Sequence, residues 1–304
     1  MWGHDLHVSF QPNSMSETAA TNIRLDRLRE WIRKSESRSD QVTLTPIAAL
    51  SATLDRNDPP PKAGDLLPPL WSWLYFLPIH RHSELATDGH VRRGGFLPPV
   101  PLPRRMWAGG RLQFHRPLRV GDTISRISRV VDVSLKEGRT GPLVFVLVCH
   151  EISNDEGVAL TEEHDIVYRN KPKADDPAPT PQVGPGDATW TREICPDEVL
   201  LFRYSALTFN AYRIHFDRRY VTEVEGYPGL VVHGPLIATL LLDLVRRSLP
   251  EAAVAKFSFR AVKPLFDIAP FSICGRAEGD GKTVKLWAKD AENWLAMEAT
   301  ATLA

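Results

Sequence analysis

The run NKPKADDPAPTPQVGPGD, Asn170 to Asp187, constrains the chain more than any other feature. Its five prolines and lack of apolar periodicity mark an extended linker that divides 304 residues almost in half. Each side has room for one domain of ordinary size. Both sides also present the same elements in the same order, which makes a duplicated unit the economical expectation. Each opens with a short polar segment and a helical stretch entered through a proline, LTPIAALSATLDR at Leu44 to Arg56 and ICPDEVLLFRYSAL at Ile194 to Leu207. Each closes in runs of Val, Ile and Phe broken by turns, as antiparallel strands require. Phe114 and Pro117 answer Phe259 and Pro264, and the turn Asn154 to Gly157 answers Asp280-Gly281. The residues predict an α+β fold built twice, over 21–169 and 188–304, with 170–187 between.

The halves differ in their middles. HGPLIATLLLDLVRRSL, His233 to Leu249, reads as an apolar helix with Gly near its start and Arg246 and Arg247 near its end, where the helix dipole favours cations. In the same place the first half has LLPPLWSWLYFLPI and RRGGFLPPVPLPRRMWAGG, aromatic bulk and proline loops instead of a helix. The apolar centre of the helix, Leu236 to Val245, contains Asp243 and is too short to span about 30 Å of hydrocarbon. The 37 basic and 37 acidic residues cancel, so no global field points to nucleic acid or an anionic membrane as partner. Cys149, Cys195 and Cys274 lie far apart, which argues against a disulfide framework or a CxxC metal site and for a reducing cytoplasm. Residues 1–20 lack the pattern of a secretion signal and read as disordered or appended, with Met15 a fitting start.

Chemistry concentrates in RYSALTFNAYRIHFD, Arg203 to Asp217, followed by EGYPGLVVHGPL, Glu225 to Leu236. An imidazole titrates near neutrality and can both take and return a proton. Backbone N–H groups where a glycine loop meets a helix N-terminus suit an oxyanion. These segments resemble the MaoC-like, or R-specific, enoyl hydratase motif, and His215 falls on that family's catalytic histidine. The family's catalytic aspartate, five residues earlier, is here Asn210, and an amide accepts no proton at neutral pH. Together with RRGGFLPPVPLPRRMWAGGRLQFHRPLRVGD, Arg92 to Asp122, the chain looks like the two-hot-dog branch of hydroxyacyl-thioester dehydratase type 2 and the mesaconyl-C4-CoA or itaconyl-CoA hydratases. In that branch Asn at this position is usual.

The resemblance implies a tandem hot-dog, each half an antiparallel sheet wrapped on a helix, with the central helix degenerate in the first half. It implies a hydratase or dehydratase acting on a short, branched dicarboxylic enoyl-CoA, with citramalyl-CoA-like products. His215 is then the acid/base and Asn210 orients water. Gly229, Leu230 and Gly234 offer backbone donors to the oxyanion, and Asp217, Tyr212 and His233 give support. Arg92, Arg93, Arg104, Arg105 and Arg213 are candidates for CoA phosphates or a substrate carboxylate, because a guanidinium forks both groups. Trp71, Trp73, Phe96 and Trp107 are candidate walls of an acyl tunnel. His80, His82 and His90 lack the spacing of a zinc site. No metal or cofactor is expected beyond the CoA thioester as substrate, and monomer and homodimer are both open. Three alternatives stand: a 3-hydroxyacyl-thioester dehydratase of fatty-acid synthesis, a hot-dog thioesterase, and a non-catalytic acyl-CoA-binding protein.

Overall fold

Strand sequences that bury every second side chain fold into one sheet that runs through both halves. The computed structural model describes residues 23–171, 176 and 180–304. The N-terminal stretch 1–20 and linker residues 172–175 and 177–179 lie outside those residues. The first half contains α1 (Leu25–Arg29), β1 (Ser35–Gln41), α2 (Leu44–Thr53), β2 (Arg104–Phe114), β3 (Thr123–Gly138), β4 (Gly141–Asn154) and β5 (Gly157–Arg169). The second contains β6 (Trp190–Ile194), α3 (Glu198–Leu207), α4 (Gly234–Ser248), β7 (Val254–Ala261), β8 (Phe271–Ala277), β9 (Thr283–Lys289) and β10 (Leu295–Leu303).

The strands form a ten-stranded sheet in the order β1-β3-β4-β5-β2-β7-β10-β9-β8-β6. Read outward from the middle, β2-β5-β4-β3-β1 and β7-β10-β9-β8-β6 are the same order twice, so β1 to β5 correspond one by one to β6 to β10. This is the duplication expected from the linker and the repeated turns, and its architecture is that of a tandem hot-dog. The seam is the antiparallel pair β2 and β7, in register from Gly109 opposite Arg260 to Gln113 opposite Lys256. Glycine is needed there: a Cβ on Gly110 would lie 2.9 Å from the Phe259 ring and 3.0 Å from the Glu163 carbonyl oxygen.

Every residue of α4 from Leu236 to Val245 is buried. A helix apolar all round must be covered all round, and α4 packs against β6, β8, β9 and β10. Proline at its second position costs no hydrogen bond, and Arg246 and Arg247 occupy its last turn. Among its described residues the first half has no counterpart to α4. Between α2 and β2 it carries only short 3-10 turns, Trp71–Leu74 and His82–Glu84, inside an otherwise irregular segment. The second helical stretch begins later than expected: Ile194 ends β6, Pro196 precedes the helix, and Asp197 caps α3 by accepting the Leu200 N–H at 2.7 Å.

One apolar core serves both halves. Leu50, Leu54, Leu70, Trp71 and Leu112 of the first pack in the same cluster as Leu201, Leu236, Leu240, Phe257 and Phe259 of the second. A buried ionic cluster ties the halves as well. Asp243 of α4 is 2% exposed and takes Arg56 from the first half at 2.5 Å, Arg247 at 2.6 Å and Arg192 at 3.3 Å. Among the described residues no helix is long and apolar enough to cross a membrane.

Candidate active site

The site begins where α3 stops. Phe209 takes a left-handed φ of 49°, which turns the chain so that the Asn210 N–H donates to Ser205 O at 2.8 Å. The Asn210 Oδ1 then accepts the Tyr212 N–H at 3.0 Å, an Asx turn of the kind short amide side chains favour. This engages the amide oxygen and leaves Nδ2 as the donor that Asn210 can turn to a ligand. A 3-10 turn, Arg213–His215, follows and buries His215.

The His215 Nδ1 lies 2.7 Å from the Val231 carbonyl oxygen. A carbonyl only accepts, so Nδ1 carries the proton and Nε2 keeps its lone pair. Burial pushes the His215 pKa down to about 4; the Val231 carbonyl opposes this, and His90 nearby adds to it. At neutral pH the group is therefore an uncharged base. Its ring stacks on His233, with centroids 3.7 Å apart and planes 18° apart. His233 is the N-cap of α4, and its Nε2 lies 2.8 Å from Ser205 Oγ. Burial, and then the neighbouring His215, holds the His233 pKa well below the ordinary histidine value.

The N-terminus of α4 therefore opens beside the two imidazoles. First-turn amides have no partner inside their own helix, and the Gly234 N–H is such a donor. Leu230 does not share that property, which corrects the expectation for it. The Leu230 N–H donates to Asp267 Oδ1 at 2.8 Å, and a Cβ on Gly229 would lie 2.6 Å from the same oxygen. The Asp267 carboxylate, itself paired with Arg218, takes up the Leu230 donor, which leaves the helix start as the candidate oxyanion site. Asp267 escaped notice in the sequence because it lies 37 residues beyond Leu230.

Asp217 and Arg213 are partners of each other at 2.7 Å, and Asp217 also accepts the Tyr220 N–H. Arg213 reaches across to the first half, where its Nη1 donates to Thr87 O at 2.9 Å and its backbone N–H to Asp88 O at 3.0 Å. Both side chains thereby position the loop. The first-half turn so tethered includes Gly89, with φ 92°, where any Cβ would overlap the Ala211 carbonyl. It brings His90 onto Tyr212 with ring centroids 4.1 Å apart, while Tyr212 meets His215 edge-on at 5.6 Å. His90 Nδ1 lies 3.1 Å from Asp88 Oδ2. The sequence grouped His90 with His80 and His82. In the fold His90 instead joins a row of rings that continues through Tyr212, His215 and His233 to Tyr204.

The remaining arginines divide. Arg93 donates to the carbonyls of Val100, Leu102 and Pro103. Arg104 is buried against Glu225, with its guanidinium over the Tyr227 ring at 4.5 Å. Arg104 is thus closed off from an anion outside, whereas Arg93 remains exposed. Arg92 is exposed, and Arg105 is half-buried beside Asp88 and His90. Of the expected tunnel aromatics, Trp73 and Trp107 meet at 5.0 Å and both face Phe259 at the seam. Trp71 lies in the main core, and Phe96 packs on the separate core under α1.

Comparison with known proteins bears on the whole assembly. Residues 70–267 match the family model described as hydroxyacyl-thioester dehydratase type 2. The chain is 48% identical over 274 residues to the mesaconyl-C(4)-CoA hydratase of Chloroflexus aurantiacus, covering 90% of this chain and 96% of that one. Among solved structures it resembles a MaoC-like dehydratase from Phytophthora capsici, with a TM-score of 0.64 at 11% identity, over 93% of this chain and 98% of that one. It also resembles a Mycobacterium tuberculosis protein described as a double hot-dog fold, with a TM-score of 0.55 at 17% identity, over 90% and 96%. The two solved structures speak to the fold alone. The extent of the family match and the 48% relative carry the assignment: this chain belongs to the hydroxyacyl-thioester dehydratase type 2 family of MaoC-like double hot-dog proteins.

Proposed function

We propose that the protein adds water to, or removes it from, the α,β double bond of a short dicarboxylic enoyl-CoA of the mesaconyl-C4-CoA type. The observation that carries this reading is His215, a buried imidazole held neutral with its Nε2 lone pair free, beside the open N-terminus of α4. In hydration, Nε2 takes a proton from water as the oxygen bonds to the β-carbon. The π pair then moves onto the thioester oxygen. The Gly234 N–H and the α4 dipole stabilise that enolate, and the imidazolium returns its proton to the α-carbon. Dehydration is the same path reversed. Arg105, half-buried and close enough to act on Asp88 and His90, is our candidate to take the free carboxylate of a dicarboxylic acyl group.

The 48% relative supports the mesaconyl-C4-CoA choice. The family model, and a 29% identical mitochondrial hydroxyacyl-thioester dehydratase type 2 of Schizosaccharomyces pombe, support the second reading, a 3-hydroxyacyl-thioester dehydratase of fatty-acid synthesis. Thioester hydrolysis is less well served, because Asn210 offers no carboxylate to the thioester carbonyl. We place the activity in a reducing cytoplasm, consistent with three unpaired cysteines. The test is turnover of mesaconyl-C4-CoA, itaconyl-CoA, crotonyl-CoA and a 3-hydroxyacyl-CoA, followed by enoyl absorbance with a thiol reagent present. Enoyl loss without free thiol, fastest for mesaconyl-C4-CoA, is expected. Release of thiol, or binding without turnover, would replace this reading with a thioesterase or a binding protein.

A further inference from the structure

Asn210 leaves the site one proton acceptor short of what activating a water over a β-carbon asks for, because an amide takes no proton and its oxygen already accepts the Tyr212 N–H. The first half brings a second imidazole near: His90 packs on Tyr212, whose ring meets His215, and its charge is felt at His215. The turn Thr87–His90 is pinned to Arg213 by two hydrogen bonds and packed through Gly89 against Ala211, so His90 is held against Tyr212 by contacts between segments more than 120 residues apart. Asp88 accepts the His90 backbone N–H at 2.9 Å and faces its ring Nδ1 at 3.1 Å. A carboxylate opposite Nδ1 fixes the proton on that nitrogen and leaves Nε2 as an acceptor. His215 reaches the same state by another route, its Nδ1 proton held by the Val231 carbonyl.

We infer that His90, backed by Asp88, is a second catalytic residue, and that its Nε2 accepts one hydrogen of the nucleophilic water while His215 accepts the other. This rests on the hydratase reading above. In the step, the O–H bond facing His215 breaks and its proton goes to His215 Nε2. The oxygen bonds to the β-carbon, the π pair moves to the thioester oxygen, and the same proton is returned to the α-carbon. The second O–H bond, held by His90, stays intact and becomes the product hydroxyl, so one water is consumed and nothing else. The charged groups around His90 agree with an acceptor role. Burial, then Arg105 and Arg93, favour its neutral form, and their effect outweighs the Asp88 carboxylate, bringing its pKa down to about 4.

The experiment is steady-state hydration of mesaconyl-C4-CoA by wild type, His90→Ala, His90→Gln, Asp88→Asn and the Asp88→Asn/His90→Ala double variant, each with its thermal midpoint. His90→Ala is expected to lower kcat by about 100-fold with KM changed less than about threefold. His90→Gln, whose amide oxygen still accepts, is expected to recover about tenfold of that loss. Asp88→Asn should lower kcat about tenfold alone and by less than about twofold in the His90→Ala background, because it acts through His90. A kcat for His90→Ala above half of wild type would overturn the inference. So would an Asp88→Asn effect of equal size in both backgrounds, which would make Asp88 a prop for the loop. If His90→Ala does not fold, the same comparisons in the His90→Gln background decide. Wild-type turnover is the control: its absence would bring down the hydratase reading itself, whereas turnover with indifferent His90 variants brings down only the assignment of His90.

Discussion

In the reaction we propose, His215 sets the chemistry because one hydrogen bond fixes its tautomer and burial fixes its charge. Its pKa of about 4 lies below the ordinary histidine value, so the active neutral form persists well below pH 6.5. We therefore expect kcat/KM for hydration to stay level as pH falls from 7 through 6, and to drop only toward pH 4. A pH–rate profile with its acid limb near 6.5 would show that the working base is not this buried imidazole. The sequence made His215, Tyr212 and His233 legible because they lie within one motif and its helix start. It did not reveal Asp267, or that the Asp88–His90 pair meets Tyr212, because those contacts form only through the fold. Leu230 looked like an oxyanion donor for the same reason: the loop is right, and the carboxylate that takes its N–H comes from a different part of the chain.

At the scale of elements, α4 was readable from its unbroken apolar run, and its burial on every side follows from that run. What the run did not tell is why it contains Asp243. Three arginines, one of them from the first half, converge on that carboxylate. Removing one member of a buried ionic cluster strands the others without a counter-charge. Asp243→Ala is expected to lower the stability measured by chemical denaturation by about 3–5 kcal/mol, whereas an exposed control such as Glu223→Ala should change it by less than about 0.5 kcal/mol. The first-half turn offers a second element-scale test. Gly89→Ala needs both a left-handed backbone and the space of the Ala211 carbonyl. It should push the turn off the site and lower kcat/KM by about tenfold or more, with the core strands intact by circular dichroism.

For the whole molecule, the linker marks a division in sequence that the fold does not respect in energy. β2 and β7 pair across it, and Phe257 and Phe259 share a core with Leu112 and Trp71. Expressed alone, residues 188–304 would present β7 as an open, apolar edge, which sheets tolerate poorly. That fragment is expected to aggregate or oligomerise, and to become soluble when co-expressed with residues 1–187; size-exclusion chromatography distinguishes the two. Acid stability is a property of the whole molecule too. His90, His150, His215 and His233 all titrate below the ordinary histidine value because they are buried. The unfolded chain therefore binds more protons than the native one between about pH 6.5 and 4. Their contribution is fully present above 6.5 and is lost as pH falls through that window. Thermal midpoints should decline from pH 7 toward pH 4.5 and be nearly flat from 7 to 8.

The central claim, that the second half's His215 moves the proton of an acyl-thioester hydration, is met most directly by comparing wild type with His215→Ala on mesaconyl-C4-CoA at pH 7. The predicted result is a fall in kcat of at least about 1,000-fold, within the range general acid–base catalysis supplies, with no free thiol from either protein and nearly unchanged thermal midpoints. A folded His215→Ala protein that keeps a tenth or more of the wild-type rate would contradict the account.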